Sequence, residues 1–200
     1  MIEVLFSIII LIFSVVIHEV SHGLMADRLG DPTARLAGRL TLNPINHLDW
    51  FGSIILPLLT YNLGGFIIGW AKPVPYNPYN LKGRFSEAWV AIAGPISNLV
   101  LAVIFGLVVR FAPVWGLPGS LVQISAAITL INVMLAIFNL VPIPPLDGSK
   151  ILFSLIPYRF SEVRVWLEKY SLVLVMVFVF FIWQLIIPVV GLIFRLITGL

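Results

Sequence analysis

Four stretches of this chain are long and apolar enough to cross a lipid bilayer, and that fact limits every fold available to it. A helix needs about 20 apolar residues to span the hydrocarbon core. Residues 4–25, 88–109, 121–141 and 171–197 meet that requirement. In hydrocarbon the backbone must satisfy its own hydrogen bonds, so these stretches are predicted as helices. The expected fold class is an all-α polytopic membrane protein. Residues 51–68 are also apolar, but Pro57, Thr60, Asn62, Gly64 and Gly65 interrupt them. They are expected to form a re-entrant or β-like segment between the first and second full spans. Only 10% of the residues are charged and 60% are hydrophobic, against roughly 25% charged in soluble domains. No polar stretch is long enough for a second unit, so residues 1–200 read as a single membrane domain. The first span has Glu3 where a secretory leader carries basic residues, and no small-residue cleavage pattern, so it reads as part of the mature chain. Residues 69–84 are rich in Pro, Gly and Asn and read as loop, and residues 159–170 as a surface helix.

The first span ends in His18-Glu19-Val20-Ser21-His22. Histidines four apart on a helix share one face, one turn apart, which suits two corners of a zinc tetrahedron. Glu19 stands beside them, where a carboxylate can take a proton from metal-bound water. Ionisable residues kept inside a span are costly unless paired or solvated in a cavity. The alternative is a helix that has already reached the headgroups and carries three ordinary polar residues. The chain has no cysteine, so disulfides and thiolate ligands are excluded. A catalytic zinc needs a third protein ligand and one open position. The remaining candidates are Glu3, Asp27, Asp31, Asp49, Glu87, Asp147, Glu162, Glu168 and His47. Asp147 stands out because it follows a span inside the proline-rich turn Pro142-Ile143-Pro144-Pro145-Leu146-Asp147-Gly148. Asp-Gly is also an ordinary turn pair.

These residues carry a resemblance. The chain resembles the site-2 protease family of intramembrane zinc metalloproteases. The resemblance rests on His18-Glu19-x-x-His22 and on Asn139-x-x-Pro142-x-Pro144-x-Leu146-Asp147-Gly148, which agrees with the family's N-x-x-P-x-P-x-L-D-G signature at every fixed position. Two connecting blocks, Gly38-Arg39-Leu40-Thr41-Leu42-Asn43-Pro44 and Ala93-Gly94-Pro95-x-x-Asn98, add to it. It runs from about residue 10 to 155. The resemblance implies that Asp147 is the third zinc ligand and that the substrates are transmembrane segments of other membrane proteins. It is to a minimal member, without the PDZ-type and cystathionine-synthase-type domains of larger relatives.

Parity gives an independent expectation. His22 and Asp147 both end spans and must meet on one face, so 51–68 is not a complete crossing. Residues 26–87 and 142–169 then share a side, and of the 12 Lys and Arg only Arg110 and Arg195 lie opposite. By the positive-inside rule the site faces the cytoplasm of a multi-pass cell-membrane protein. The expected activity is a zinc-dependent endopeptidase in which Glu19 assists attack of zinc-bound water. Asn98 and Asn139 are candidates for binding the substrate or its oxyanion, or else for packing helices by amide hydrogen bonds. His47 reads as a cap or bridge in the connecting segment, or as a further ligand. The resemblance also makes residues 66–75 a candidate strand for an unwound substrate. The implied partners are a membrane-protein substrate and the bilayer. There is no basic run of the kind that tracks nucleic acid. A zinc transporter is the rival class; it needs ionisable residues along a path to both faces, and here they cluster at one end.

Overall fold

The computed structural model describes residues 2–55, 59, 72–157 and 160–200. Four helices are long and apolar enough to cross a membrane. The first, α1, runs Ile2–Arg28. A short turn of helix, α2 (Thr33–Leu36), follows it. Then come α3 (Ser86–Trp115) and α4 (Gly119–Asn139). Two shorter helices, α5 (Asp147–Leu155) and α6 (Ser161–Lys169), precede the last span. That span is α7 (Ser171–Val177), a π-helical turn Phe178–Ile182 and α8 (Trp183–Thr198). The four spans coincide with the apolar runs, with ends shifted by a few residues. The described residues are helix, turn and coil, with no strand among them. Of the expected re-entrant segment, residues 56–58 and 60–68 lie outside the described residues. Trp50–Ile55 forms a π-helical turn.

Side-chain pairings fix the directions of the spans. His18 meets Asn98 while His22 meets the Val90 carbonyl, so α1 and α3 run antiparallel. Gly116, at φ +61°, closes α3 in the left-handed cap that glycine adopts without strain. Pro118 then starts α4 as the antiparallel partner. On α3 and α8 the contacts rise together. Ala102 packs in one cluster with Val190, and further along both helices Arg110 reaches Gly199 and donates to the Leu196 carbonyl at 3.0 Å, so these helices are parallel. Ala102, Val133 and Val190 form the buried apolar centre, with Ile137, Trp183 and Ile193 around it. Phe138, Phe178 and Trp183 close one end as an aromatic cluster. Lipid is as apolar as leucine and gives little drive for helix association, so close approach through small residues matters. The face of α3 turned inward is made of such residues: Ala91, Gly94, Ala102, Gly106 and Ala112.

The segment between α1 and α3 leaves and returns on the same face. Gly30, at φ +107°, turns the chain, and the Lys82 N–H donates to the Leu29 carbonyl at 2.8 Å. Asp31, fully buried, holds this junction together. Its carboxylate accepts from the Thr33 hydroxyl, the Asn77 N–H at 2.6 Å and the Asn80 amide at 2.9 Å. Burial pushes the Asp31 carboxyl up, but these hydrogen bonds outweigh it and hold the group below the ordinary carboxylate range.

A carboxyl lowered on folding stabilises the fold above its unfolded pKa and loses that contribution as pH falls through the folded value. Asp31→Ala removes the shared acceptor of Thr33, Asn77 and Asn80, whose hydrogen bonds contribute about 0.5–1.5 kcal/mol each. We expect it to lower the thermal midpoint of the detergent-solubilised protein at neutral pH. The gap to wild type should narrow as pH falls below about 4.

Candidate metal centre

His18 and His22 project from one face of α1 with ring centroids 4.6 Å apart and planes nearly perpendicular. Asp147 arrives from the far end of the chain. After Asn139, Pro142, Pro144 and Pro145 prevent α4 from continuing. The chain instead makes a tight turn, closed by Leu146 N–H to the Ile143 carbonyl at 2.9 Å and Ser149 N–H to the Leu146 carbonyl at 3.1 Å. Gly148 lies so close to the Leu140 and Val141 carbonyls that a side chain there would collide with backbone. The turn leaves Asp147 at the start of α5, aimed at the histidines. Its Oδ2 lies 3.0 Å from His18 Nε2 and 3.1 Å from His22 Nε2, and the two Nε2 atoms are 3.0 Å apart. All three residues are buried.

The other ring nitrogens decide what these atoms are. His18 Nδ1 is 2.6 Å from Asn98 Oδ1, and His22 Nδ1 is 2.7 Å from the Val90 carbonyl. Both partners are acceptors, so each Nδ1 carries a hydrogen, and the tautomer that places it there turns an Nε2 lone pair inward. Two imidazole lone pairs and a carboxylate oxygen therefore converge. A proton relieves one pair of these atoms at a time, whereas a metal ion satisfies all three. The three ligand atoms lie within 4.8 Å of one another. Their types and the hydrogen bonds behind them fit a zinc site with an open position.

Gly94 makes the convergence possible. A methyl group there would fall 2.6 Å from His18 Nε2 and closer still to His22 Nε2. Asn98, one turn further along α3, is fully buried. Its amide nitrogen donates to the Ser14 carbonyl at 3.3 Å and to Asn132 Oδ1 at 2.8 Å, while its oxygen faces His18. Both of its N–H groups are engaged, so it has no donor left for a substrate. Asn139 donates to the Leu135 carbonyl of its own helix at 2.9 Å. His47 is buried and donates from Nε2 to the Thr41 carbonyl at 2.8 Å, bridging the connecting segment away from the three ligands.

Glu19 is half-buried, and its Oε2 accepts the Val74 N–H at 2.8 Å. Val74 belongs to residues 72–77, a strap of irregular backbone without strand pairing. Lys72 N–H donates to the His47 carbonyl at 2.9 Å, and Arg39 donates to the Lys72 and Pro73 carbonyls at 2.9 and 3.3 Å. Asp31 holds Asn77 at the other end. Residues 66–71 of the expected strand lie outside the described residues. The roles of Gly94, Ser14, Asn132 and the strap were not read from the sequence. A signal existed for Ser14 and Asn132, which are polar residues inside spans. None marked the Val74 N–H, because backbone donors leave no trace in side-chain chemistry.

Comparison with known proteins agrees with this geometry. The model of Peptidase family M50 matches residues 6–118 and 117–183. "Putative zinc metalloprotease YwhC" of Bacillus subtilis is 37% identical over 179 residues, 86% of this chain and 78% of that protein. "Putative zinc metalloprotease Rip2" of Mycolicibacterium smegmatis is 36% identical over 140 residues, 68% of this chain and 52% of its own length. This chain thus spans about half of that relative. "Putative zinc metalloprotease MJ0611" of Methanocaldococcus jannaschii is 29% identical over 156 residues, 74% of this chain and 72% of that protein. No solved structure matches significantly. The chain belongs to peptidase family M50, the site-2 protease family. It is a zinc metalloendopeptidase, a hydrolase of peptide bonds, with four helices that fit a multi-pass membrane protein.

Alanine is a better helix former than glycine by about 1 kcal/mol, so Gly94→Ala should stay folded. Its methyl group displaces both imidazoles. We expect the purified variant to lose most of its zinc, measured by atomic emission, while its helical circular dichroism is retained.

Proposed function

We propose that this chain cleaves transmembrane segments of membrane-protein substrates, with His18, His22 and Asp147 holding zinc and Glu19 acting as general base. The observation that carries this reading is the convergence of three ligand lone pairs beside Glu19 inside a helix bundle. Zinc bound there would supply Lewis acidity, lowering the pKa of water and polarising a carbonyl. His18 and His22 each orient by an Nδ1–H bond, to Asn98 and Val90. Asp147 is held by its proline turn and contributes the negative charge. Glu19 takes the proton of the attacking water and returns it to the leaving nitrogen. The Val74 N–H keeps one of its oxygens fixed, leaving the other for the proton.

His18 lies ten residues from the end of α1, about 15 Å at 1.5 Å per residue. The site would therefore sit about half a hydrocarbon thickness from the helix end. A substrate helix shields its carbonyls and must unwind before it is cut. Residues 66–75, whose described end lies beside Glu19, are the proposed binding edge. Residues 51–68 are proposed to fold back on the same face. All Lys and Arg except Arg110 and Arg195 fall on the site's side in this arrangement, which supports a cytoplasmic site.

Glu19→Gln should retain zinc and lower cleavage of a membrane-tethered reporter by about a hundredfold or more, the usual range for a lost general base. Undiminished cleavage by the zinc-loaded variant would sink the assignment. Orientation has its own test, made clean by the lack of cysteine. Tyr79→Cys should react with an impermeant maleimide in inside-out vesicles, and Ser120→Cys in right-side-out ones. The opposite pattern would invert the topology.

A further inference from the structure

A chain of buried amides runs from α4 to the metal site, and each member dictates the orientation of the next. It starts at Asn132, which is fully buried. Its Nδ2 is 2.9 Å from the Ile128 carbonyl and 2.9 Å from Ser14 Oγ. The Ile128 carbonyl can only accept, so it must face the Asn132 amino group. The Asn132 oxygen is thereby turned to Asn98, 2.8 Å away. Asn98 must answer with its own amino group, which the Ser14 carbonyl also requires. That leaves the Asn98 oxygen for His18 Nδ1 at 2.6 Å. An acceptor there demands a hydrogen on Nδ1. The Nε2 lone pair then has to point at His22 and Asp147.

We propose that Asn132 is a positioning residue for metal binding: acting through Asn98, it fixes His18 in the tautomer whose Nε2 lone pair faces the metal site. The proposal rests on the reading of His18 as a zinc ligand. Asn132 lies on a different helix from His18, and no hydrogen bond joins the two residues. Its influence passes through amide orientation alone. Amides in a span could serve only to hold helices together, and that simpler role makes a different prediction. A packing amide changes the stability of the metal-free fold and leaves the ring tautomer and the zinc affinity of the folded protein unchanged.

The experiment uses the full chain in detergent, with zinc affinity read by competition with a chromophoric chelator. The 15N shifts of the His18 ring are read in the metal-free protein. Wild type should show a single Nδ1–H tautomer. Asn132→Leu should mix the tautomers and weaken zinc binding about tenfold, the lower end of the range for lost partners behind a metal ligand. Wild-type affinity and an unmixed tautomer in Asn132→Leu, with zinc lost in His18→Ala, would overturn the proposal and leave the metal site standing. If His18→Ala binds zinc like wild type, the ligand reading fails instead. If Asn132→Leu does not fold, the wild-type ring decides: a hydrogen on His18 Nε2 overturns the chain of orientation, and one on Nδ1 upholds it.

Discussion

At Gly94 α3 has no side chain, and through that gap the helix lies directly on the two imidazoles of α1. Other contacts at the site follow from this approach. It brings the Val90 carbonyl to His22 on one side and Asn98 to His18 on the other. Both rings are thus oriented by a single helix, from groups two turns apart. α4 then returns along α3 through the short Gly116–Pro118 turn and delivers Asp147 to the same point. Bulk at position 94 would separate α1 from α3 and with them the ligands from their supports.

The amides and imidazoles at the site are few, and His18, His22, Asn98 and Asn132 are each hydrogen-bonded. In a medium without water, an amide or imidazole left unpaired costs several kcal/mol, about the range seen for transfer to hydrocarbon. The network of Ser14, Asn98, Asn132 and His18 meets that demand within the helices. The same low dielectric gives these hydrogen bonds their directional force. An amide whose far end is fixed by a carbonyl has no second orientation of comparable energy. Rigidity of this kind is what a metal site requires of its surroundings.

Much of the architecture was legible in the sequence because lipid imposes a strict rule. Apolar length alone located α1, α3, α4 and the last span, since no other conformation satisfies a backbone in hydrocarbon. Helical spacing marked His18 and His22 as a pair, and the family resemblance joined Asp147 to them. Asn98 was noticed, with a substrate role and a helix-packing role both left open. A sequence shows that an amide is present, not which way it faces. Gly94 lay inside a recognised block, yet a glycine announces only missing bulk. The strap at 72–77 was legible as loop, and its hold on Glu19 was hidden because the donor is a backbone N–H.

That strap joins two environments. Both of its ends are fastened in the polar segment outside the spans, by Arg39 at the Lys72 and Pro73 carbonyls and by Asp31 at Asn77, while its middle touches the carboxylate beside the metal cluster. A backbone donor anchored on both sides thus meets the carboxylate beside the metal cluster, so the position of Glu19 is set partly from outside the helix that carries it.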